Sequence, residues 1–271
     1  MNTVLGIDLG GSSTKLAALD ASGKLLCAAQ GPCIADIRPL EEAVSAFMRE
    51  NGISREQVEA VAMTGVGAAS VSGGVCGMRA KRVSEFEAIA RGALTVSGLK
   101  TALVASIGTG TAFVLASESE ARHMGGSAMG GGTIVGLADI MVGETDMEAL
   151  SALAEKGDLG RVDLLMADIG TAPNLPPEAT ASNFGKTGHS AAPADISRGL
   201  MNLVFQNIAT MAVFLCRGTP AKDVVVIGST ARARQAGDIM DAVGRLYGVR
   251  FVIPWDPAFA TAMGAALLAL E

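Results

Sequence analysis

Side chains that commonly build metal sites and disulfide frameworks are scarce in this 271-residue chain. Histidine occurs only at His123 and His189, which excludes a histidine-rich metal site. The four cysteines are scattered, without a CxxC pair, at Cys27, Cys33, Cys76 and Cys216. That distribution favours reduced thiols in a cytoplasmic protein over a disulfide framework.

Positive charge and long apolar runs are scarce as well. The chain has 21 basic against 27 acidic residues and a net charge of −6, whereas a dedicated nucleic-acid binder usually carries a basic patch. Apolar windows such as TALVASIGTGTAFVLA (101–116) are interrupted by glycine and too short to span a bilayer. The N-terminus lacks the basic region and apolar run of a signal peptide. We therefore expect a cytoplasmic protein that binds neither nucleic acid nor membrane.

Apolar strands that end at glycine turns are abundant. Hydrophobic residues make up 49% of the chain, and its 34 glycines indicate many tight turns and close backbone contacts. A strand–glycine turn–strand unit occurs twice, near residues 4–19 and 102–116, and the later strand VVVIGS (224–229) also ends in glycine and serine. Two mixed α/β halves facing each other across a cleft fit this pattern better than one continuous sheet.

We place the two halves at residues 1–98 and 99–271. The last predicted helix, ATAMGAALLAL (260–270), belongs to the second half by sequence and is free to pack back on the first. A further helix at about 196–216 carries an apolar stripe that predicts a core position, in part a subunit interface. The hinge between the halves is expected to be short, because no low-complexity linker separates them.

The N-terminal glycine turn, GIDLGGSSTK (6–15), matches neither the GxxxxGK[ST] nor the GxGxxG phosphate motif. Its small residues still let backbone N–H groups approach phosphate oxygens, and Asp8 at the strand end could hold a hydrated Mg²⁺. IGTGT (107–111) could clasp the same phosphates from the opposite side. The predicted nucleotide contacts of the two turns are Gly10, Gly11, Ser12, Ser13, Thr14, Lys15 and Thr109. The alternative is that both are ordinary hairpin turns, where Asp and Gly are common.

These turns resemble motifs of the acetate kinase/sugar kinase/Hsp70/actin superfamily. GIDLGGSSTK, VASIGTGT and VVVIGS are similar to its first phosphate, second phosphate and adenosine motifs. Four further stretches resemble the type II pantothenate kinases: SEFEAIARG (84–92), HMGGSAMGGGTIVGL (123–137), LPPEATASNFG (175–185) and GSTARA (228–233). The ordered set spans nearly the whole chain. It implies an α/β fold of two ribonuclease-H-like, actin-like ATPase domains that face each other across a nucleotide cleft.

The resemblance implies an enzyme that uses ATP and Mg²⁺ to phosphorylate pantothenate to 4'-phosphopantothenate, the first step of coenzyme A biosynthesis, and that forms a homodimer. It assigns ATP contacts to the second glycine-rich stretch and to the adenosine motif, at Gly130, Gly131, Gly132, Thr133, Ile134 and Ser229. LPPEATASNFG is expected to have a structural or dimer-contact role.

The stretch SEFEAIARGAL offers two carboxylates for accepting the proton of an alcohol. Ser84 is a good N-cap, and Glu87, three residues on, would complete a capping box. Residues two apart on a helix point to nearly opposite sides, so Glu85 and Glu87 cannot both face one cleft. From sequence alone, Glu85 at a helix start is usually only favourable to the helix dipole. The resemblance instead places the catalytic glutamate of the family at Glu85.

One departure from the family pattern concerns the substrate. Where its members usually carry an arginine that helps hold pantothenate, this chain has His123, preceded by Arg122. Either Arg122 reaches the substrate instead, or His123 makes a weaker, pH-dependent contact. Three other functions stay open: a sugar or amino-sugar kinase, an ATPase that activates a partner enzyme through an iron–sulfur cluster, and a filament-forming protein. The zinc motif of one large sugar-kinase group is absent from the sequence.

Overall fold

The computed structural model describes residues 2–71, 73–170, 175–187 and 190–271. His189 lies outside the described residues. So do Pro173 and Asn174, which precede the LPPEATASNFG stretch.

Six strands form the first sheet, in the order β3-β2-β1-β4-β6-β5. The strands β1, β2 and β3 form an antiparallel meander, and β4 pairs parallel to β1 on its other side. Helix α1 (Ile37–Glu50) buries its apolar stripe, Leu40, Val44, Phe47 and Met48, in the core of this half. The strands are β1 Thr3–Leu9, β2 Ser13–Asp20, β3 Leu25–Pro32, β4 Val58–Thr64, β5 Gly74–Val75 and β6 Met78–Arg82.

Five strands form the second sheet, in the order β13-β12-β7-β8-β9. It repeats the first pattern, because β7, β8 and β9 form an antiparallel meander and β12 pairs parallel to β7. This duplication confirms the predicted fold class. The remaining strands are β7 Thr101–Ile107, β8 Thr111–Ser117, β9 Ala121–Ser127, the separate pair β10 Leu164–Leu165 and β11 Thr180–Ser182, β12 Asp223–Ile227 and β13 Arg250–Val252.

Helices cover both sheets. They are α2 Glu85–Ser97, α3 Gly131–Val142, α4 Met147–Ala154, α5 Met166–Ile169, α6 Pro193–Arg217, α7 Gln235–Tyr247 and α8 Ala260–Ala269. Among the described residues, α6 alone has the length and hydropathy that a membrane span requires. Val204, Phe205 and Ile208 of its stripe are fully buried in the core of the second half, and Met211 and Leu215 are partly buried against the same core.

The helices α2 and α8 cross each other between the two halves. The last helix, α8, lies on the first sheet, where Ala262 and Ala266 pack against Val4 and Leu19. Helix α2 packs instead on the second sheet, with Ile89 among its buried contacts. The predicted division between residues 98 and 99 stays a prediction. Helix α2 lies before that boundary in the sequence but packs on the second sheet.

Candidate active site

A cleft between the two halves contains two adjoining cavities. The larger, about 670 Å³, extends from the first glycine turn towards α4 and the start of α7. The smaller, about 440 Å³, lies between that turn and the start of α2. Four residues line both cavities: Ser12, Gly108, Thr109 and Ser229. The three predicted nucleotide motifs therefore meet where the cavities join.

Asp8 and Lys15 lie together on the floor of the smaller cavity. The antiparallel register pairs these two residues across β1 and β2, and Lys15 Nζ lies 3.6 Å from Asp8 Oδ2. Both are 7% exposed. Burial raises the pKa of Asp8, and the positive charge of Lys15 only partly opposes that rise. The pair places one carboxylate and one fixed cation beside the glycine turns.

The first glycine turn closes by a hydrogen bond that the Gly10 N–H donates to Ser13 O over 3.1 Å. Gly10, Gly11, Ser12 and Ser13 each line one or both cavities. Thr14 does not, which corrects its prediction as a nucleotide contact. Its side chain is buried, and Thr14 Oγ1 accepts the Ile34 N–H over 3.2 Å. Strand alternation turns it into the core.

The second glycine turn is held against the start of α3 by main-chain hydrogen bonds. The Gly131 N–H donates to Gly108 O over 2.8 Å, and the Gly132 N–H donates to Thr109 O over 3.0 Å. A Cβ at Gly130 would lie only 2.6 Å from Thr109 O. The glycine run therefore allows the loop and the helix to pack closely. The N–H groups of Gly131 and Gly132 already have main-chain acceptors, so they are not free to bind a ligand.

Gly131 and Gly132 line the larger cavity. Three neighbouring residues that were also predicted as ATP contacts line neither cavity. Gly130 is buried beneath the turn. Thr133 Oγ1 accepts the Gly130 N–H over 3.2 Å and donates to Ala128 O. Ile134 is fully buried in the core of the second half. Their part in the site is to support the loop.

Ser229 presents a buried hydroxyl with no hydrogen-bond partner among the described residues. It follows β12 and the positive-φ residue Gly228, at which a Cβ would collide with Ile107 O. Buried hydroxyls are nearly always hydrogen-bonded in native proteins. Ser229 lines both cavities, but its hydroxyl oxygen has almost no accessible surface in this conformation, so a ligand atom can reach it only after the side chain rotates.

Glu85 opens α2 and lines the smaller cavity. Its pKa is raised, first by burial and then by the negative charge of Asp8, while Lys15 opposes the rise. Ser84 is the N-cap residue, but its side chain makes no capping hydrogen bond, so the predicted capping box is wrong. Glu87 is exposed and does not line the cavity. The separation of the two glutamates by helix geometry is confirmed.

His123 and Arg122 point to opposite sides of β9. His123 lines the smaller cavity and stacks on Phe86, with ring centroids 4.2 Å apart and an interplanar angle of 12°. Arg122 lies outside both cavities, and its Nε is 3.6 Å from Glu120 Oε1. Side chains alternate along a strand, so only one of the two predicted contacts can face the cleft. The structure places His123 there and corrects the expectation for Arg122.

Two residues that were not predicted from the sequence, Arg232 and Gln30, line the larger cavity from opposite halves. Arg232 donates to Asp256 Oδ1 from Nε over 3.1 Å and from Nη2 over 2.7 Å, and to Gln30 Oε1 from Nη1 over 3.3 Å. Its guanidinium lies 4.9 Å from the centroid of the Phe259 ring. Arg232 belongs to the GSTARA stretch, which was its only sequence signal, and Gln30 had none.

The chain is similar in sequence to known proteins over most of its length. A model of the Fumble family matches residues 101–243. The type II pantothenate kinase of Staphylococcus haemolyticus is 31% identical over 218 residues, which cover 73% of this chain and 82% of that protein.

Two solved structures share the fold. One is the activator of the 2-hydroxyisocaproyl-CoA dehydratase from Clostridium difficile with bound ADPNP, at a TM-score of 0.71 and 19% identity, covering 99% of this chain and 94% of that one. The other is a ROK family glucokinase from Streptomyces griseus in complex with glucose and AMPPNP, at 0.62 and 14%, covering 99% and 98%. At these identities the likeness shows the fold alone.

Proposed function

The chain belongs to the type II pantothenate kinase family, and we propose that it transfers the γ-phosphoryl group of ATP to the primary alcohol of pantothenate. One observation carries the proposal. Glu85, a half-buried carboxylate with a raised pKa, lines the same cavity as the Asp8–Lys15 pair and both glycine turns. A proton acceptor and a phosphate-binding floor therefore share one space.

The smaller cavity suits the reacting groups. Phosphoryl transfer depends on positioning and on stabilising phosphate charge, with a carboxylate to accept the alcohol proton. The proton of the pantothenate hydroxyl would pass to Glu85, the hydroxyl oxygen would bond to the γ-phosphorus, and the bond to the ADP oxygen would break. The raised pKa of Glu85 brings the carboxylate closer to the basicity that such a step favours.

The larger cavity suits the nucleoside. It is wide enough for a base and ribose and begins at the two glycine turns. Ser229 lines this cavity and would turn its buried, unpartnered hydroxyl towards the nucleotide, and Ser12, Ser13 and Thr109 would contact the phosphates. Closure of the halves around the ligands would exclude water that otherwise hydrolyses ATP.

Asp8 fits a role beside a magnesium ion. Magnesium is usually bound through one or two carboxylates together with waters and substrate phosphates, and Asp8 is one buried carboxylate next to the phosphate turns. When bound, the ion would neutralise phosphate charge. Lys15 would hold the Asp8 carboxylate in place and contribute its own positive charge to the same phosphates.

The proposal extends to the setting of the enzyme: a homodimer in the cytoplasm, with no membrane or nucleic-acid partner. Family membership supports the dimer, and the acidic net charge of −6 is unfavourable for nucleic-acid binding. Size-exclusion chromatography with light scattering tests the oligomeric state directly. A monomer at micromolar concentration would contradict this part of the proposal.

The decisive experiment measures ADP release with MgATP in the presence and absence of pantothenate, for the wild type, Glu85→Gln and Glu87→Gln. We expect pantothenate-dependent turnover in the wild type and Glu87→Gln, and its loss in Glu85→Gln. Glucose serves as a second acceptor, because a ROK family glucokinase shares the fold. Turnover with glucose but not pantothenate would replace the acceptor assignment with a sugar kinase.

A further inference from the structure

Two buried polar side chains join α4 to the start of α7 beside the larger cavity. Ser151 of α4 is 3% exposed, and Gln235, the first residue of α7, is 1% exposed. Ser151 Oγ donates to Gln235 Oε1 over 2.8 Å, and Gln235 Nε2 donates to Ser151 O over 2.7 Å. The Arg234 N–H donates to Ser151 Oγ over 3.0 Å. We call this group of hydrogen bonds the Ser151–Gln235 clamp.

The clamp holds together two elements that line the larger cavity. Helix α4 lines it with Met147 and Ser151, among others, and the β12–α7 connection (228–234) lines it with Ser229 and Arg232. These elements are distant in sequence, so their separation across the cavity is fixed only by tertiary contacts. The Ser151 hydroxyl donates one hydrogen bond and accepts another within the clamp, so its contribution is to hold the wall of the cavity.

Directional contacts hold the β12–α7 connection on both sides. At one end Thr230, 5% exposed, donates from Oγ1 to Gly108 O of the second glycine turn over 3.1 Å. At the other end the clamp ties the connection to Ser151. Helix α4 is also packed in the core of the second half, where Leu150 and Ala154 are fully buried. Apolar packing is non-directional, whereas hydrogen bonds depend steeply on distance and angle. The clamp therefore defines the position of α4 more sharply than packing does.

We propose that Ser151 and Gln235 are positioning residues for nucleotide binding: their reciprocal hydrogen bonds set the separation of α4 from the β12–α7 connection, and with it the width of the larger cavity. The inference rests on one part of the proposed function, that the nucleoside of ATP occupies this cavity. It does not depend on the identity of the acceptor. Because both side chains are buried, removing one leaves polar atoms of the other without a partner, and the wall must shift to satisfy them.

The test measures KM for ATP and KM for pantothenate, each with the other substrate saturating, in Ser151→Ala, Gln235→Leu and the double variant. Gln235→Leu removes both bonds of the Gln235 side chain, and we expect KM for ATP to rise about five- to twenty-fold, with KM for pantothenate within about two-fold of wild type. Ser151→Ala keeps the main-chain acceptor and should raise KM for ATP about two- to five-fold. The double variant should resemble Gln235→Leu, because both side chains act through the same bonds.

Asn202→Leu is the control that separates positioning from a general loss of stability. Asn202 is 7% exposed, its Nδ2 donates to Asp163 Oδ2 over 2.8 Å, and it lines neither cavity of the cleft. Removing a donor from the fully buried Asp163 side chain is destabilising. We therefore expect Asn202→Leu to lower Tm at least as much as Gln235→Leu does, while leaving KM for ATP unchanged.

An unchanged KM for ATP in Gln235→Leu, with only Tm lowered, would overturn the inference. So would an equal rise in KM for both substrates, or independent, multiplying effects in the double variant. If Gln235→Leu does not fold, Ser151→Ala carries the same test.

Calorimetric Kd values for MgADP in the same variants distinguish this inference from the proposed function. A wild type that binds MgADP but does not turn over pantothenate would overturn the acceptor assignment alone, and the Kd values of the variants would then decide the role of the clamp. A wild type that does not bind MgADP would overturn both.

Discussion

Glu85 shows how a single residue acquires its chemistry from its neighbours. It lies at the start of α2, half-buried, facing the Asp8 carboxylate and the Lys15 ammonium group. Burial and the Asp8 charge raise its pKa, so the carboxylate is a better proton acceptor than an exposed glutamate. Glu87, two positions along the same helix, is exposed and provides a matched comparison.

We expect Glu85→Gln to lower kcat for pantothenate phosphorylation by about 10²- to 10⁴-fold, the usual contribution of a general base. The wild-type rate should fall as the pH drops through the raised pKa of Glu85, because the protonated carboxyl cannot accept a proton. Initial rates of ADP release from pH 5 to 8 measure both effects. An unchanged kcat in Glu85→Gln, or a loss of similar size in Glu87→Gln, would contradict the assignment.

The same environment has a consequence for stability. A carboxyl group whose pKa is higher in the folded than in the unfolded protein binds protons more tightly when folded, so its ionisation lowers the free energy of unfolding as pH rises. Glu85→Gln removes that ionisation. We expect Tm at pH 7.5 to rise by about 1–4 °C, with the gain vanishing towards acidic pH, where both forms are neutral. Differential scanning calorimetry at pH 5 and 7.5 measures it, with Glu87→Gln as the unchanged control.

At this scale the sequence predicted some site residues and missed others for identifiable reasons. Asp8, Lys15 and Ser229 follow directly from strand–turn motifs, whose local geometry brings them to the cleft. His123 could have been separated from Arg122 by strand alternation, but the glycines at 125 and 126 hid β9 from the pattern. Gln30 and Arg232 meet only through the packing of the two halves, which no local pattern encodes.

At the scale of elements, the crossing of α2 and α8 depends on glycines. A Cβ at Gly92 would collide with Ala260 O, and a Cβ at Gly264 would collide with Ala88 O. The helices therefore approach backbone to backbone. Since α2 carries Glu85 at its start and α8 lies on the first sheet, this crossing helps to set the position of Glu85 relative to Asp8.

We expect Gly92→Ala to lower the free energy of unfolding by about 1–3 kcal/mol or more, because the helices must separate to admit a methyl group. Gly136→Ala in α3 is the control, since nothing lies within 4 Å of a Cβ there. It should be neutral or stabilising by up to about 1 kcal/mol, through better helix propensity. Urea unfolding of both variants measures the difference; equal stability would contradict a tight crossing.

Elements with a simple period were predictable, and short or context-dependent ones were not. The strands β1, β2, β7, β8 and β12 follow apolar runs bounded by glycine, and α6 follows its apolar stripe. Strand β10 has two residues and β11 has three, which is too few to show an alternating hydrophobic pattern. An amphipathic stripe does not show which sheet a helix packs on. The packing of α2 on the second sheet could therefore not be predicted from the sequence.

At the scale of the whole molecule, Arg232 connects the two halves across the larger cavity. Asp256 and Phe259 fix its guanidinium in the second half, and Gln30 accepts a hydrogen bond from it in the first. An arginine fixed in this way keeps its remaining donors oriented at small entropic cost. It is therefore suited to stabilising the arrangement of the halves that binds nucleotide.

We expect Arg232→Ala to raise the Kd for MgADP about three- to ten-fold, in line with the loss of one or two hydrogen bonds worth about 0.5–1.5 kcal/mol each. The control is Arg250→Ala, since Arg250 also pairs with an aspartate, Asp223, but lies at the far edge of the second sheet. Isothermal titration calorimetry measures both. Equal affinities in the two variants would show that Arg232 does not act on the nucleotide site.

The position of α8 on the first sheet affects how the protein can fold during synthesis. Strands β1, β2 and β4 leave the ribosome early, but the helix that covers their inner face is translated only after the entire second half. Domains that are contiguous in sequence can fold one after another as they emerge. In this protein the face of the first sheet that α8 covers stays exposed until α8 has been made, so a pause late in translation would leave apolar surface exposed on the nascent chain.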